Sequence, residues 1–205
     1  MTTLLIAVLL LVIVATTLQV VVPRIGESRI ERRLIEGGGE AFVVVEAMPA
    51  LRLLSRSGDK LMVRGRRLEI GMSREGGGLS SLDRFREIDI VLHEFRTGPF
   101  EIAHFELLRD GAGPYLMRSE ARTSGVALAD YGSEQLGGVA PLLGIVAGGV
   151  PLGSRSFAVS LEVELTSESG ILAVASGGGT VAGYPAGPIA ATIASAVARR
   201  LEISF

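Results

Sequence analysis

The N-terminal part of the chain is one continuous apolar stretch. Residues 2–22 contain no charged side chain. As a helix rising about 1.5 Å per residue, this stretch spans roughly 31 Å, which matches the hydrocarbon core of a bilayer at about 30 Å. A cleavable signal peptide has a basic segment before its apolar run and a small-residue cleavage site after it, and neither is clear here. The pattern therefore predicts an uncleaved transmembrane anchor over residues 1–22.

Beyond Pro23 the apolar positions become periodic among charged residues. They recur at Ile25, Ile30, Leu34 and Ile35, before a glycine triplet at 37–39. This spacing predicts a short amphipathic helix that ends at the triplet. The chain accordingly divides into three segments, which are the anchor at 1–22, a connector helix at 23–39 and a domain at 40–205.

The domain is dominated by short alternations of apolar and polar residues. The strictest runs from Phe157 to Leu165 and is typical of an antiparallel strand with one wet face. Further strands are predicted at 40–48, 61–72 (a long strand or a hairpin), 85–95, 100–108, 115–124, 171–175 and 201–205, and helices at 50–56 and 186–200. Since glycine-rich turns join most of these elements, the fold class is α+β, with a curved antiparallel sheet packed with a few helices.

Composition excludes several kinds of chemistry. Cysteine is absent, so disulfides and thiolate metal sites do not arise. His93 and His104 are the only histidines, and a zinc site normally needs three or four ligands, so we expect no metal. No nucleophile-elbow or phosphate-loop pattern occurs, and Glu162 with Glu164 lies on the wet face of a strand. We therefore expect neither an enzyme nor a cofactor, and the net charge of −2 gives no general attraction to nucleic acid.

Basic residues outnumber acidic ones between residues 52 and 74. They are Arg52, Arg56, Lys60, Arg64, Arg66, Arg67 and Arg74, against Asp59 and Glu69. Arginine forks suit phosphate, and basic residues near a membrane attract anionic lipid at about 1 kcal/mol per charge. The alternative is a solvated face of a strand pair.

Two uncharged stretches, 135–154 and 177–198, are rich in small and branched apolar residues. They are either core helices with their loops or the lining of an elongated apolar groove, since ligand cavities are lined mainly by apolar side chains. In the groove interpretation the lining residues are Leu142, Leu143, Ile145 and Val146.

Several short motifs resemble the LmeA-like phospholipid-binding family of bacterial envelope proteins. They lie at 44–51 (VVEAMPAL), 58–63 (GDKLMV), 122–126 (RTSGV), 128–131, 183–185 (GYP) and 198–205. Ala50 departs from this pattern, because the family often has an aromatic residue after the proline. The resemblance implies a tubular lipid-binding-like fold on the extracytoplasmic side of the cell membrane, without catalytic residues. The flanking arginines after residue 22 imply the cytoplasmic side instead.

Two functions are compatible with these observations. The first is a single-pass, membrane-anchored phospholipid-binding protein of the bacterial envelope, acting in envelope lipid or lipoglycan maintenance. Its apolar groove would hold acyl chains, and Arg52, Arg64, Arg66 and Arg67 would meet anionic phosphate headgroups. The alternative is a non-enzymatic assembly or scaffold protein that docks a protein partner. A hydrolase or transferase is disfavoured, since no nucleophile and base are visible.

Overall fold

The structure, a computed structural model, describes residues 2–70, 82–127, 155–168 and 171–186. Within these ranges, the side chains of residues 2–5, 7, 8, 11, 15, 168, 171 and 172 are not described. The helices are α1 (Thr2–Leu34) and two short 3₁₀ helices, η1 (Ala50–Ser55) and η2 (Leu82–Arg84). The strands are β1 (Glu40–Glu46), β2 (Gly58–Arg66), β3 (Phe85–Thr97), β4 (Phe100–Asp110), β5 (Tyr115–Ser124), β6 (Ser156–Glu168), β7 (Ile171–Val181) and β8 (Tyr184–Pro185).

Helix α1 is continuous over 33 residues and contains Pro23. The predicted anchor and connector helices are therefore two parts of one helix. The chain then turns into β1 through Gly39, whose φ is +91°. A Cβ there would lie 2.4 Å from the carbonyl oxygen of Arg67, so only glycine fits this close approach.

Within the described part of the chain, no helix is long and apolar enough to cross a membrane. Several side chains in the N-terminal half of α1 are outside that description. The transmembrane anchor stays a prediction.

The eight strands form one sheet in sequential order, from β1 to β8. Strands β2 and β3 pair in parallel, with Gly58 opposite Phe85, whereas the other neighbouring strands pair antiparallel. The predicted antiparallel pairing is confirmed for six of the seven strand pairs, and the parallel β2–β3 pair makes the sheet mixed. Beyond β2 the chain still runs parallel to β3, because a bridge joins Glu69 to Arg96.

The predicted strand at 61–72 is interrupted after β2, where Arg67 has a φ of +55°. Leu68 and Ile70 are nevertheless buried, as their alternation indicated. The remaining strand predictions within the described residues are confirmed, with β7 extending to Val181 rather than ending at residue 175. The predicted helix at 186–200 and strand at 201–205 lie outside the described residues, apart from Ala186.

One face of the sheet carries the apolar core. Alternate residues of β1 to β6 are buried and join one cluster that includes Ile30 of α1. Among them are Val63, Ile90, Phe105, Met117 and Leu161. The opposite face carries charged residues paired across strands, such as Lys60 with Glu87 and Arg118 with Glu162. The result is a mostly-sheet domain with few helices.

Candidate lipid-binding groove

Two polar side chains of α1 fasten the helix to the first part of the domain. The Gln19 amide donates from Nε2 to the carbonyl of Ala47 at 2.9 Å and accepts at Oε1 from the N–H of Ala50 at 2.8 Å. About two turns further along α1, Glu27 accepts from the N–H of Val45 at 3.0 Å. From Gln19 onward, α1 therefore packs against β1 and η1.

The short helix η1 is held in shape by Asp59. Its carboxylate accepts from the N–H of Met48 at 2.6 Å and from the guanidinium of Arg52 at 2.7 Å. These hydrogen bonds, the one from Met48 first, lower the pKa of Asp59 below its ordinary value of 3.8. The helix ends at Arg56, whose φ of +57° lets its N–H reach the carbonyl of Leu53 at 2.9 Å. Hydrogen bonds thus fix both ends of η1.

An apolar groove with a volume of about 360 Å³ lies between α1 and η1. Its apolar lining consists of Val22, Ile25, Ile30, Val45, Leu53, Leu54 and Phe85. Gly26 also lines the groove, and a Cβ added there would meet nothing within 4 Å. The absence of a side chain at Gly26 therefore leaves space in the groove. Its volume lies at the lower end of the range for small-molecule sites, about 300–1,000 Å³.

Three arginines line the same groove, namely Arg29 and Arg33 of α1 and Arg56 at the end of η1. Arg29 and Arg33 are four residues apart, so they lie on one face of the helix. All three are exposed, and their guanidinium groups have no ion-pair or hydrogen-bond partner among the residues that the structure describes. A groove with an apolar wall and unpaired guanidinium groups is suited to a ligand that joins an apolar chain to an anionic group.

The arginines that the sequence indicated are placed differently. Arg52 pairs with Asp59, Arg64 binds both carboxylate oxygens of Asp89, and Arg67 pairs with Glu40 at 3.3 Å. Arg66 has no ion-pair partner within the described ranges. The structure does not gather these four residues around the groove, because Arg52 lies on η1 whereas Arg64 and Arg66 lie at a separate surface.

That separate surface is a shallow depression on the face of β1, β2 and β3 that lies opposite the core. It is lined by Glu40, Ala41, Phe42, Arg64, Gly65, Arg66, Val91 and His93. Arg64 and Arg66 do come together here, but Arg64 is engaged by Asp89. Nearby, the Nδ1 atoms of His93 and His104 are 3.4 Å apart across β3 and β4. No group of three metal-binding side chains occurs in the described parts of the chain.

A second polar cluster lies where η2 meets β4, β5 and β6. The Tyr115 hydroxyl donates to Asp83 at 2.7 Å and accepts from Arg109 at 2.7 Å, and Ser167 donates to the other oxygen of Asp83. Burial, followed by the neighbouring Asp83, raises the pKa of Tyr115 well above its ordinary value. These hydrogen bonds join η2 to β4, β5 and β6, so the cluster is a structural tie between elements.

The predicted lining residues Leu142, Leu143, Ile145 and Val146 lie outside the described residues, so their role stays a prediction. Sequence reasoning missed Gly26, Arg29, Arg33 and Arg56 as site residues. The helical spacing of Ile25, Arg29 and Arg33 is the signal that could have found three of the groove residues.

Comparisons of the chain with protein-family models, with curated proteins and with solved structures give no match. The resemblance to the LmeA-like family therefore stays a prediction, and the functional argument depends on the groove itself.

Proposed function

We propose that this protein is a membrane-anchored phospholipid-binding protein of the bacterial cell envelope. The groove between α1 and η1 holds part of an acyl chain, and Arg29, Arg33 and Arg56 hold the anionic headgroup. The domain lies on the extracytoplasmic side and serves envelope lipid or lipoglycan maintenance without catalysis. A curved, tubular sheet, as the family resemblance implies, is part of the same proposal.

The observation that carries the proposal is the joint presence of an apolar wall and three unpaired arginines in one groove. Arginine forks recognise phosphate by two parallel hydrogen bonds, and an exposed unpaired guanidinium needs no partner to be displaced first. The groove also begins at Val22, where the apolar N-terminal stretch ends. A lipid headgroup at the membrane surface would therefore be near these arginines if the predicted anchor is in the bilayer.

The magnitudes show why both parts of the groove are needed. Its volume of about 360 Å³ accommodates about a dozen methylene-sized groups at roughly 30 Å³ each. Their burial contributes about 10 kcal/mol, at about 0.8 kcal/mol for each methylene. Association costs about 4–15 kcal/mol, which is of similar size. The contacts of the arginines with phosphate therefore decide whether the net binding free energy is favourable.

The experiment compares phospholipid retained by the full chain after purification in a mild detergent. The test variant is the double substitution Arg29→Gln and Arg33→Gln. The control is Arg122→Gln with Arg155→Gln, which removes two exposed arginines away from the groove. We expect the test variant to bind phospholipid about tenfold more weakly or worse, and the control to match the wild type.

Competition separates a lipid from a free phosphate ligand. If the groove binds phospholipid, inorganic phosphate should displace it poorly, because phosphate lacks the acyl contacts. Equal retention by the wild type and both variants would contradict the proposal. The assembly or scaffold alternative would be favoured if no preparation retained phospholipid but crosslinking captured a protein at the depression around Phe42.

A further inference from the structure

The segment that precedes and includes η1 presents large apolar side chains to solvent. Met48 is 78% exposed, Leu54 is 73% exposed and Leu51 is 50% exposed. These three exposed apolar residues lie within seven positions of the chain and are here named the η1 patch. Apolar patches of this kind mark interaction sites on soluble proteins and membrane-facing sites on peripheral ones.

The η1 patch is next to the end of the apolar stretch of α1. The two hydrogen bonds of Gln19 hold the chain at Ala47 and Ala50, which flank Met48, against the helix. On α1 itself, Val20, Val21 and Ile25 are exposed in the same region. Through Gln19 the patch adjoins the end of the predicted anchor, and this position favours lipid over a distant protein.

The charges around the η1 patch fit an anionic surface. Arg24, Arg29 and Arg33 of α1 and Arg56, just after η1, are all exposed. Acidic residues are also present, but Glu27 is directed to the backbone of β1 and Asp59 is paired with Arg52, which leaves Glu31 and the exposed Glu46 against the four arginines. Basic residues at a membrane surface are attracted to anionic lipid headgroups, while nearby apolar side chains enter the interface.

We propose that the η1 patch is a second membrane contact, at which Met48, Leu51 and Leu54 enter the interfacial layer of an anionic phospholipid bilayer. The groove between α1 and η1 then opens at the bilayer surface, so that a lipid moves into it sideways without crossing water. The inference rests on the membrane attachment in the proposed function, and it adds a contact made by the domain itself.

The chain has no cysteine, so a single introduced cysteine is the only residue that a thiol-reactive fluorophore labels. The chain also has no tryptophan, so the fluorophore is the main source of emission. The test uses the full chain with a polarity-sensitive fluorophore on Met48→Cys or Leu51→Cys, which do not line the groove, reconstituted into vesicles of phosphatidylglycerol and phosphatidylcholine. Leu116→Cys is the control, because Leu116 is 45% exposed on the outer side of β5. We expect the two η1 probes to shift to shorter wavelength and to be quenched by brominated acyl chains, and the Leu116 probe to do neither.

The second contact would be overturned if the chains float with the vesicles but both η1 probes emit as the Leu116 probe does. That result would leave the attachment and the groove intact. Failure of the chain to float would remove the attachment and with it this inference. Efficient disulfide formation between the unlabelled cysteines of two chains in the vesicles would assign the η1 patch to a second copy of the chain instead.

Discussion

Gly26 provides the sharpest test of the groove, because its substitution fills the site without a clash. A Cβ at this position meets nothing within 4 Å, and the residue lines the groove. Leucine adds four carbon atoms, or about 120 Å³ at roughly 30 Å³ each. That is about one third of the groove volume of about 360 Å³.

The Gly26→Leu variant should lose binding but keep its stability. Excluding about four methylenes of an acyl chain costs about 3 kcal/mol of binding free energy, or roughly 200-fold in affinity. Replacing a glycine inside a helix raises the free energy of unfolding by about 0.5–1 kcal/mol, so the thermal midpoint should be unchanged or about 2 °C higher. Binding is measured by titration of the detergent-solubilised chain with a fluorescent phospholipid, and stability by thermal unfolding.

Gly178→Leu is the matched control, because a Cβ at Gly178 also meets nothing within 4 Å and the residue lies on β7, away from the groove. This variant should bind as the wild type does. Wild-type affinity in a stable Gly26→Leu protein would refute the assignment of the groove as the lipid site.

Three further predictions concern stability, pH and orientation. Tyr115→Phe removes the hydroxyl that bonds the half-buried Asp83 and Arg109, which keep their own ion pair, so we expect a loss of about 0.5–1.5 kcal/mol in chemical denaturation; Tyr184→Phe, at a residue 68% exposed, should change little, and equal losses would argue against the structural tie. The folded-state pKa of Asp59 lies below 3.8, so its carboxylate stabilises the fold above that pH and this contribution is lost as the pH falls through the lowered pKa. The stability difference between wild type and Asp59→Asn should therefore shrink in acid, and a difference that is constant down to pH 2 would be inconsistent with this linkage. A Leu116→Cys protein in intact bacteria should react with a membrane-impermeant maleimide if the domain is extracytoplasmic, and labelling only after lysis would place it in the cytoplasm, as the flanking arginines imply.

Most strands were predictable because their signal is local. Strict alternation from Phe157 to Leu165 marks one buried face, and the glycine and proline turns mark the strand ends. The alternation changes phase between Val63 and Leu68, from odd to even positions, and this shift is the trace of the break at Arg67, whose φ is positive. The parallel pairing of β2 with β3 was not predictable, because a change of phase marks a break in a strand but does not say which strand pairs with it or in which direction.

The candidate site was less predictable, because it depends on which elements meet. Lys60 and Arg64 contribute to a basic run in the sequence, but β3 places Glu87 and Asp89 beside them, so these two cations are paired. Arg29 and Arg33 are unremarkable in the sequence, where they read as flanking charges of the predicted anchor. They become site residues only because Gln19 and Glu27 hold α1 against β1 and η1.

The central claim is that an acyl chain occupies the groove between α1 and η1. Photocrosslinking the full chain with a phospholipid that carries a diazirine in its acyl chain, followed by peptide mapping, tests this claim directly. We predict crosslinks at Leu53, Leu54 and Phe85, and their loss in the Gly26→Leu variant. Crosslinks confined to α1 before Gln19, and unchanged in that variant, would contradict the account.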